Sequence, residues 1–220
     1  MSKLSLSKPS LILLYGYPGS GKTYFARQLS EEIAAAHIHD DKIRSQVFEK
    51  PRFDKTENEI LMHLMEYMME EFLKAGVSVV FDTNSLRFSQ RRSLRDLARK
   101  LKAAPVLTWF QIDQETAYQR AKTRDRRKAD DKYAFPLDKE QFMTTIKSMQ
   151  NPNQSEDYVV LSGKHTYATQ SKMFMKRLYD LGLLSPENAS SKLVRPGLVN
   201  HIPNPLAGRF DGSRRNITIR

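Results

Sequence analysis

The sequence predicts an α/β fold: a parallel β-sheet covered by helices on both faces. Compact apolar runs recur at 10–15, 77–82, 105–112 and 157–163. They lack the polar alternation of a half-exposed strand, as strands buried on both faces do. Between them lie stretches with apolar residues at helical spacing, so strands and helices alternate. The first run also leads directly into "GYPGSGKT" at 16–23, three glycines and a lysine where a strand turns into a helix.

The elements follow in order. Leu11–Tyr15 form the first strand, and Ala26 and Leu29 lie on helical spacing in a helix over 20–34. "AHIHD" at 36–40 is a short second strand, and "DKIRSQVF" at 41–48 a helical turn or two. Thr56 and Glu59 form a capping-box pattern opening a long helix over 57–74. Its apolar face is Ile60, Leu61, Leu64, Met65, Met68 and Leu73, with the methionines as core filler, and Gly76 ends it. "VSVVFD" at 77–82 is a buried strand. Leu94, Leu97, Ala98 and Leu101 form the apolar face of the next helix, with Arg91, Arg95 and Arg99 on another face. A strand over 105–112, a helix over 114–125 and a charged, irregular stretch to Tyr133 follow. Asp138 caps a helix to 149, 157–163 is the fifth strand, and Gly182 closes the last helix. Beyond 184, Pro186, Pro196, Pro203 and Pro205 punctuate the chain and periodicity disappears. We read 1–184 as one domain and 185–220 as a basic, extended tail.

Composition bounds the function. A chain of 220 residues with 40% hydrophobic and 28% charged residues suits one globular domain with a sizeable core. The absence of cysteine excludes disulfides, thiolate metal sites and cysteine catalysis. The N-terminal apolar run is too short to span a membrane and no signal-peptide cleavage pattern follows it, so we expect a cytoplasmic protein with no membrane partner. A net charge of +11 favours polyanions, nucleic acid or nucleotides among them, or merely solubilises the surface. The charge concentrates at 87–102 and 120–128.

The 16–23 stretch reads G-x-x-x-x-G-K-T, a phosphate-binding loop in its proper strand–loop–helix setting. Backbone N–H groups of Gly16, Gly19, Ser20, Gly21 and the following helix start would close around phosphate oxygens, with Pro18 shaping the loop. Lys22 would reach the β- and γ-phosphates, Thr23 would bind Mg²⁺, and Tyr24 would flank the nucleotide. The ligand is a nucleoside triphosphate. No N-K-x-D guanine motif is present. "VSVVFD" ends in Asp82, but Thr83 follows where a hydrolysing ATPase usually has a glutamate. A phosphoryl transferase needs no such glutamate. It needs a carboxylate to take the acceptor proton and arginines to neutralise the moving phosphoryl. "HDDKIR" puts Asp41 one helical turn before Arg44, able to hold a hydroxyl and an adjacent phosphate, or else simply a surface ion pair. Asp40 competes with Asp41 for the base. Asp82 sits at the ligand end of its strand or caps a helix. Arg120 and Arg124 are four apart on a helix, as a lid would present them to a triphosphate, or are solvated charge.

These segments, "GYPGSGKT", "DDKIR", "FDTN", Arg120-x-x-x-Arg124 and "FPLDKEQFMTTIKSM", resemble in order those of the small P-loop kinases related to the phage polynucleotide 5′-kinase. Zeta toxins and the seryl-tRNA kinase are cousins among these AAA-type small kinases. The resemblance covers about residues 8–150. It implies a P-loop NTPase three-layer sandwich with five parallel strands ordered 2-3-1-4-5 and a helical lid over about 120–137. It implies ATP and Mg²⁺, Asp41 as general base, Arg44 on an acceptor phosphate, and Asp82 with Asn84 and Arg91 at the acceptor. Asp82 would also face Mg²⁺, through water. Arg120 and Arg124 would be the lid arginines, and Gly163 and Lys164 of "SGKH" would wrap the adenine. Arg91 and Arg92 lie farther from D-T-N than in the phage enzyme, and no phosphatase domain follows. The expected activity is γ-phosphate transfer to a hydroxyl, first that of a polynucleotide 5′-end, with DNA, RNA or tRNA as partner. The alternatives are a small-metabolite, nucleotide-sugar or aminoacyl-tRNA kinase, and an ATP-dependent nucleic-acid-binding switch with slow hydrolysis.

Overall fold

Every residue of the central strand β1 (Ser10–Tyr15) is buried, and its side chains divide between two cores. Leu11, Leu13 and Tyr15 point to one face of the sheet and Ile12 and Leu14 to the other, as period two requires. The computed structural model describes residues 3–83, 87–128 and 131–185. The expected tail over 185–220 lies outside them apart from Ser185, and so does Asn84.

Five strands form one sheet: β1, β2 (Ala36–His39), β3 (Val79–Asp82), β4 (Ala104–Gln111) and β5 (Tyr158–Ser162). All pairings are parallel, in the order 2-3-1-4-5 that the resemblance implied. Helices α1 (Lys22–Glu32) and α7 (Tyr167–Asp180) cover one face, where Phe25, Phe110 and Phe174 meet edge to face. Helices α3 (Lys55–Lys74) and α4 (Phe88–Lys100) cover the other. The short α2 (Asp40–Val47), α5 (Gln114–Lys122) and α6 (Lys139–Ser148) complete the fold. Among the described residues no helix is long and apolar enough to cross a membrane.

Three local expectations change. The cap of α3 is Asp54, whose side chain accepts from Glu57 N, so the helix starts before the Thr56/Glu59 pattern. Its buried stripe is Leu61, Met65, Met69 and Leu73, and Ile60 faces solvent. A strict i, i+4 row suits a long helix lying flat on the sheet, which leaves Ile60 on the outer side. The helical lid expected over 120–137 is the end of α5 followed, among the described residues, by turns closed through Lys128 N to Asp125 O and Ala134 N to Asp131 O. Asp138 does cap α6, in a capping box with Gln141.

The basic face of α4 is the fourth difference. Arg91 is fully buried, donating through Nε and Nη2 to Glu156 at 2.8 and 2.6 Å and through Nη1 to Gln150 O at 2.8 Å. Its guanidinium also lies over the Tyr15 ring at 4.9 Å. Arg91 therefore ties the segment before β5 to the centre of the domain. Glu156→Ala leaves that guanidinium buried and uncompensated, and we expect it to lower unfolding stability by about 3–5 kcal/mol. Replacing the pair together, Arg91→Met with Glu156→Leu, should recover most of the loss in a urea titration. A single-variant loss below about 1 kcal/mol would show that water reaches the pair.

Candidate functional site

The carboxyl ends of the parallel strands converge where β1 gives way to the glycine loop, the position at which such sheets bind ligands. Gly19 has φ 81°, and a Cβ there would collide with the Ala117 carbonyl at the start of α5. Only glycine lets the loop pass so close beneath that helix. A Cβ on Gly163 would stand 2.6 Å from Ser20 O, so the loop after β5 packs directly on the phosphate loop. Ser20 Oγ is buried without a hydrogen-bond partner among the described residues, a donor and acceptor left open. Gly16, Pro18, Gly19, Ser20 and Gly21 thus form a cradle, with Thr23 in the first turn of α1 and Tyr24 exposed beside it.

Lys22 is buried, and its ammonium donates to Gly16 O at 2.8 Å and Tyr17 O at 3.0 Å. Burial pulls its pKa down to about 8, against the pull of Asp82, Asp40 and Asp41. A cation whose hydrogen bonds run to carbonyl oxygens, with carboxylates acting from farther off, can turn to an anionic partner. A cleft of about 290 Å³ opens above it, lined by Gly19, Thr23, Arg120, Arg124 and Lys128. The described lining holds four cationic side chains, counting Lys22, and that charge and size suit a polyphosphate.

Arg120 and Arg124 enter this cleft differently from the expected helical pair. Arg120 is on α5 and donates from Nη1 to Gly163 O at 2.8 Å, fastening α5 to the loop after β5. Arg124 lies beyond the helix, after its C-cap Thr123, and reaches across to Asp41, Nη1 to Oδ2 at 3.8 Å. Lys164 pairs with Asp113 at 2.7 Å on the outer side of the same loop.

Asp41 and Asp40 open α2, both nearly buried. Burial and the neighbouring Asp40 charge push Asp41 up to about 7, while His39 and Arg124 oppose the shift. Asp40 Oδ1 accepts from the adjacent Asp41 N at 2.7 Å. Arg44 does not turn towards Asp41. It is buried, bonded through Nη1 to Glu57 Oε1 and through Nη2 to Asn58 Oδ1 at 2.7 Å, with the Phe53 ring 4.6 Å away. The expected Asp41–Arg44 pair is replaced by Asp41–Arg124 and Arg44–Glu57. Glu57 comes from the first turn of α3, a neighbour that spacing along α2 cannot reveal.

Asp82 ends β3, opposite His39 in register. Burial alone would raise its pKa, but His37 at 3.1 Å, with His39 and Lys22 nearby, brings it down to about 2. It stands ionised beneath the cleft, close enough to Lys22 and Asp41 to act on both. Sequence reasoning missed His37 and His39, whose i, i+2 spacing in "AHIHD" was the available signal, and missed Glu57 and Glu156, which had none.

Comparison with solved structures agrees with this fold. A gluconokinase from Sinorhizobium meliloti is 17% identical with a TM-score of 0.57, covering 79% of this chain and 94% of its own. Kti12 from Chaetomium thermophilum, in complex with ADP-AlF3, is 20% identical with a TM-score of 0.59, covering 77% and 97%. APS kinase from Mycobacterium tuberculosis, in complex with AMPPNP and APS, is 13% identical with a TM-score of 0.58, covering 78% and 98%. At such identities the likeness is one of fold, an α/β sandwich around a parallel sheet. No curated protein matches the chain in sequence. The family model described as "AAA domain" matches residues 11–152, more than half of the 220, and the chain belongs to that family.

Proposed function

We propose that this protein is an ATP-dependent kinase that transfers a γ-phosphoryl group to a hydroxyl acceptor. The observation that carries the reading is the Arg124–Asp41 contact at 3.8 Å above buried Lys22. It joins a lid arginine, a carboxylate with a pKa near neutrality and the phosphate-loop cation in one place, as phosphoryl transfer requires.

ATP enters as substrate, its phosphates over Gly16–Thr23 and its base against the Gly163–Lys164 loop held by Arg120. Thr23, and Asp82 through water, would hold Mg²⁺, which would supply neutralisation of phosphate charge. Lys22 leaves the Gly16 and Tyr17 carbonyls for the phosphates. Arg124 leaves Asp41 for the γ-phosphoryl, which frees Asp41 at the moment its proton affinity is needed. Asp41 takes the acceptor hydroxyl proton while the acceptor oxygen bonds to phosphorus and the bond to the β-phosphate oxygen breaks, releasing ADP. Arg124 meets charge that develops in the transfer. Arg124→Ala should therefore lower kcat by about 10²-fold or more with a smaller change in ATP affinity. An effect confined to KM would make it a binding residue only.

For the acceptor, the 5′-hydroxyl of a polynucleotide is the first reading, supported by the basic balance of +11 and the order of the kinase-like segments. Arg44 supports a second. Its charge is already met by Glu57 and its Nη2 by Asn58, so a small hydroxyl acceptor without a neighbouring phosphate fits as well. Transfer of labelled γ-phosphate from ATP to 5′-hydroxyl DNA, 5′-hydroxyl RNA, tRNA, nucleosides and sugars decides between them. Labelling of oligonucleotides supports the first reading, and labelling of nucleosides or sugars alone the second. Release of phosphate with no labelled acceptor would refute kinase function and favour slow hydrolysis by a switch.

A further inference from the structure

His37 and His39 alternate with Ile38 on the edge strand β2, so both rings lie on one face of the sheet. The rings are parallel, 5.4 Å apart and 6° from coplanar orientation. Asp82 faces them from the adjacent strand: His37 Nε2 is 3.1 Å and His39 Nε2 4.0 Å from the same oxygen, Oδ2. His39 Nε2 is also 3.9 Å from Asp40 Oδ1. One ligand atom each from His37, His39 and Asp82 lies within 4.8 Å of the others.

The His39 side chain is 7% exposed, and the two carboxylate oxygens beside its Nε2 lie beyond hydrogen-bond reach. A cation among these groups would meet both imidazoles and the Asp82 carboxylate at once. Around a tetrahedral ion of the zinc class with bonds of about 2.1 Å, neighbouring ligand atoms are about 3.4 Å apart. The Nε2–carboxylate separations of 3.1 and 4.0 Å bracket that spacing.

We propose that His37, His39 and Asp82 form a binding site for a transition divalent cation of the zinc class, with Asp40 beside it. Two imidazoles and a carboxylate suit Zn²⁺, Co²⁺ or Ni²⁺, whereas Mg²⁺ seeks an oxygen shell. The site uses the carboxylate oxygen at the foot of the phosphate cleft. Occupancy therefore couples the level of such a metal to whatever that cleft does. This inference stands apart from the kinase reading, because it concerns the nucleotide-free protein.

Cobalt is the probe, since Co²⁺ bound to imidazole and carboxylate absorbs in the visible. Tag-free, full-length protein is titrated with Co²⁺ in the absence of nucleotide. We expect saturable absorption at one ion per chain, bleached by an equimolar amount of Zn²⁺ and retained against a hundredfold excess of Mg²⁺. His37→Gln and His39→Gln should each weaken Co²⁺ binding at least tenfold while retaining thermal stability and binding of a fluorescent ATP analogue. Absence of the absorption, its loss to Mg²⁺ at similar concentration, or unchanged affinity in both folded variants would overturn the proposal. Should a variant not fold, the wild-type titration with Zn²⁺ and Mg²⁺ competition still decides. Because no ATP or acceptor is present, failure here leaves the kinase reading untouched, and failure of the acceptor panel leaves this one untouched.

Discussion

Lys22→Ala should abolish ATP-dependent transfer, lowering it by about 10³-fold, the upper range for loss of one preorganised charge-stabilising donor. The side chain is buried with its ammonium on Gly16 O and Tyr17 O, so no neighbouring cation occupies the same point. Folding should not suffer. Burial has pulled Lys22 down to about 8 from 10.5, so carrying its charge in the folded state costs stability. That cost is fully present below pH 8 and shrinks as pH rises from there towards 10.5. The variant should melt no lower than wild type at pH 7. Transfer near the wild-type rate, in a folded variant, would place the nucleotide elsewhere. The same pKa predicts that ATP affinity of the wild type weakens above about pH 8, as Lys22 loses its proton.

Asp41→Asn should lower turnover by about 10²–10⁴-fold with ATP affinity nearly kept, the expected result when a general base is removed. Asp40→Asn should do much less to turnover, since Asp40 is engaged by the Asp41 N–H and it is Asp41 that meets Arg124. Equal damage from both, or the reverse order, would overturn the assignment of the base to Asp41. Asp41→Asn should also stabilise the nucleotide-free protein in a pH-dependent way. Its folded pKa, about 7, lies above the ordinary 3.8, so ionising it in place is unfavourable. The penalty is absent below about pH 4, grows through the window to pH 7 and is constant above. Melting temperatures of variant and wild type should therefore coincide at pH 4 and separate by pH 8. Wild-type kcat/KM for ATP should be bell-shaped, rising to about pH 7 with Asp41 and falling above about pH 8 with Lys22.

The parts legible in the sequence are those written in local spacing. Strand β1, the glycine loop and the start of α1 are contiguous, and their residue types leave one backbone path: Gly19 must admit the Ala117 carbonyl. Asp138 and Gln141 cap α6 through bonds three residues apart, which a sequence displays directly. The basic faces were misleading for the opposite reason. Arg91 and Arg95 read as one basic face of α4, with Arg91 at the acceptor, yet both reach Glu156, at separations of 65 and 61 positions. Arg44 likewise chose Glu57 over its helical neighbour Asp41.

Sequence alone thus determined the alternation of strands and helices, the phosphate loop and the set of charged residues at the carboxyl ends of the strands. Apolar periodicity and glycine conformation act within a few residues and need no distant partner. Tertiary structure decided which charges meet. A buried ion must find an opposite charge in three dimensions or lose several kcal/mol, on the order of the whole margin of folding. That requirement buried Arg91 on Glu156, turned Arg44 to Glu57, brought Arg124 over Asp41, and set two histidines of one edge strand against Asp82 of the next.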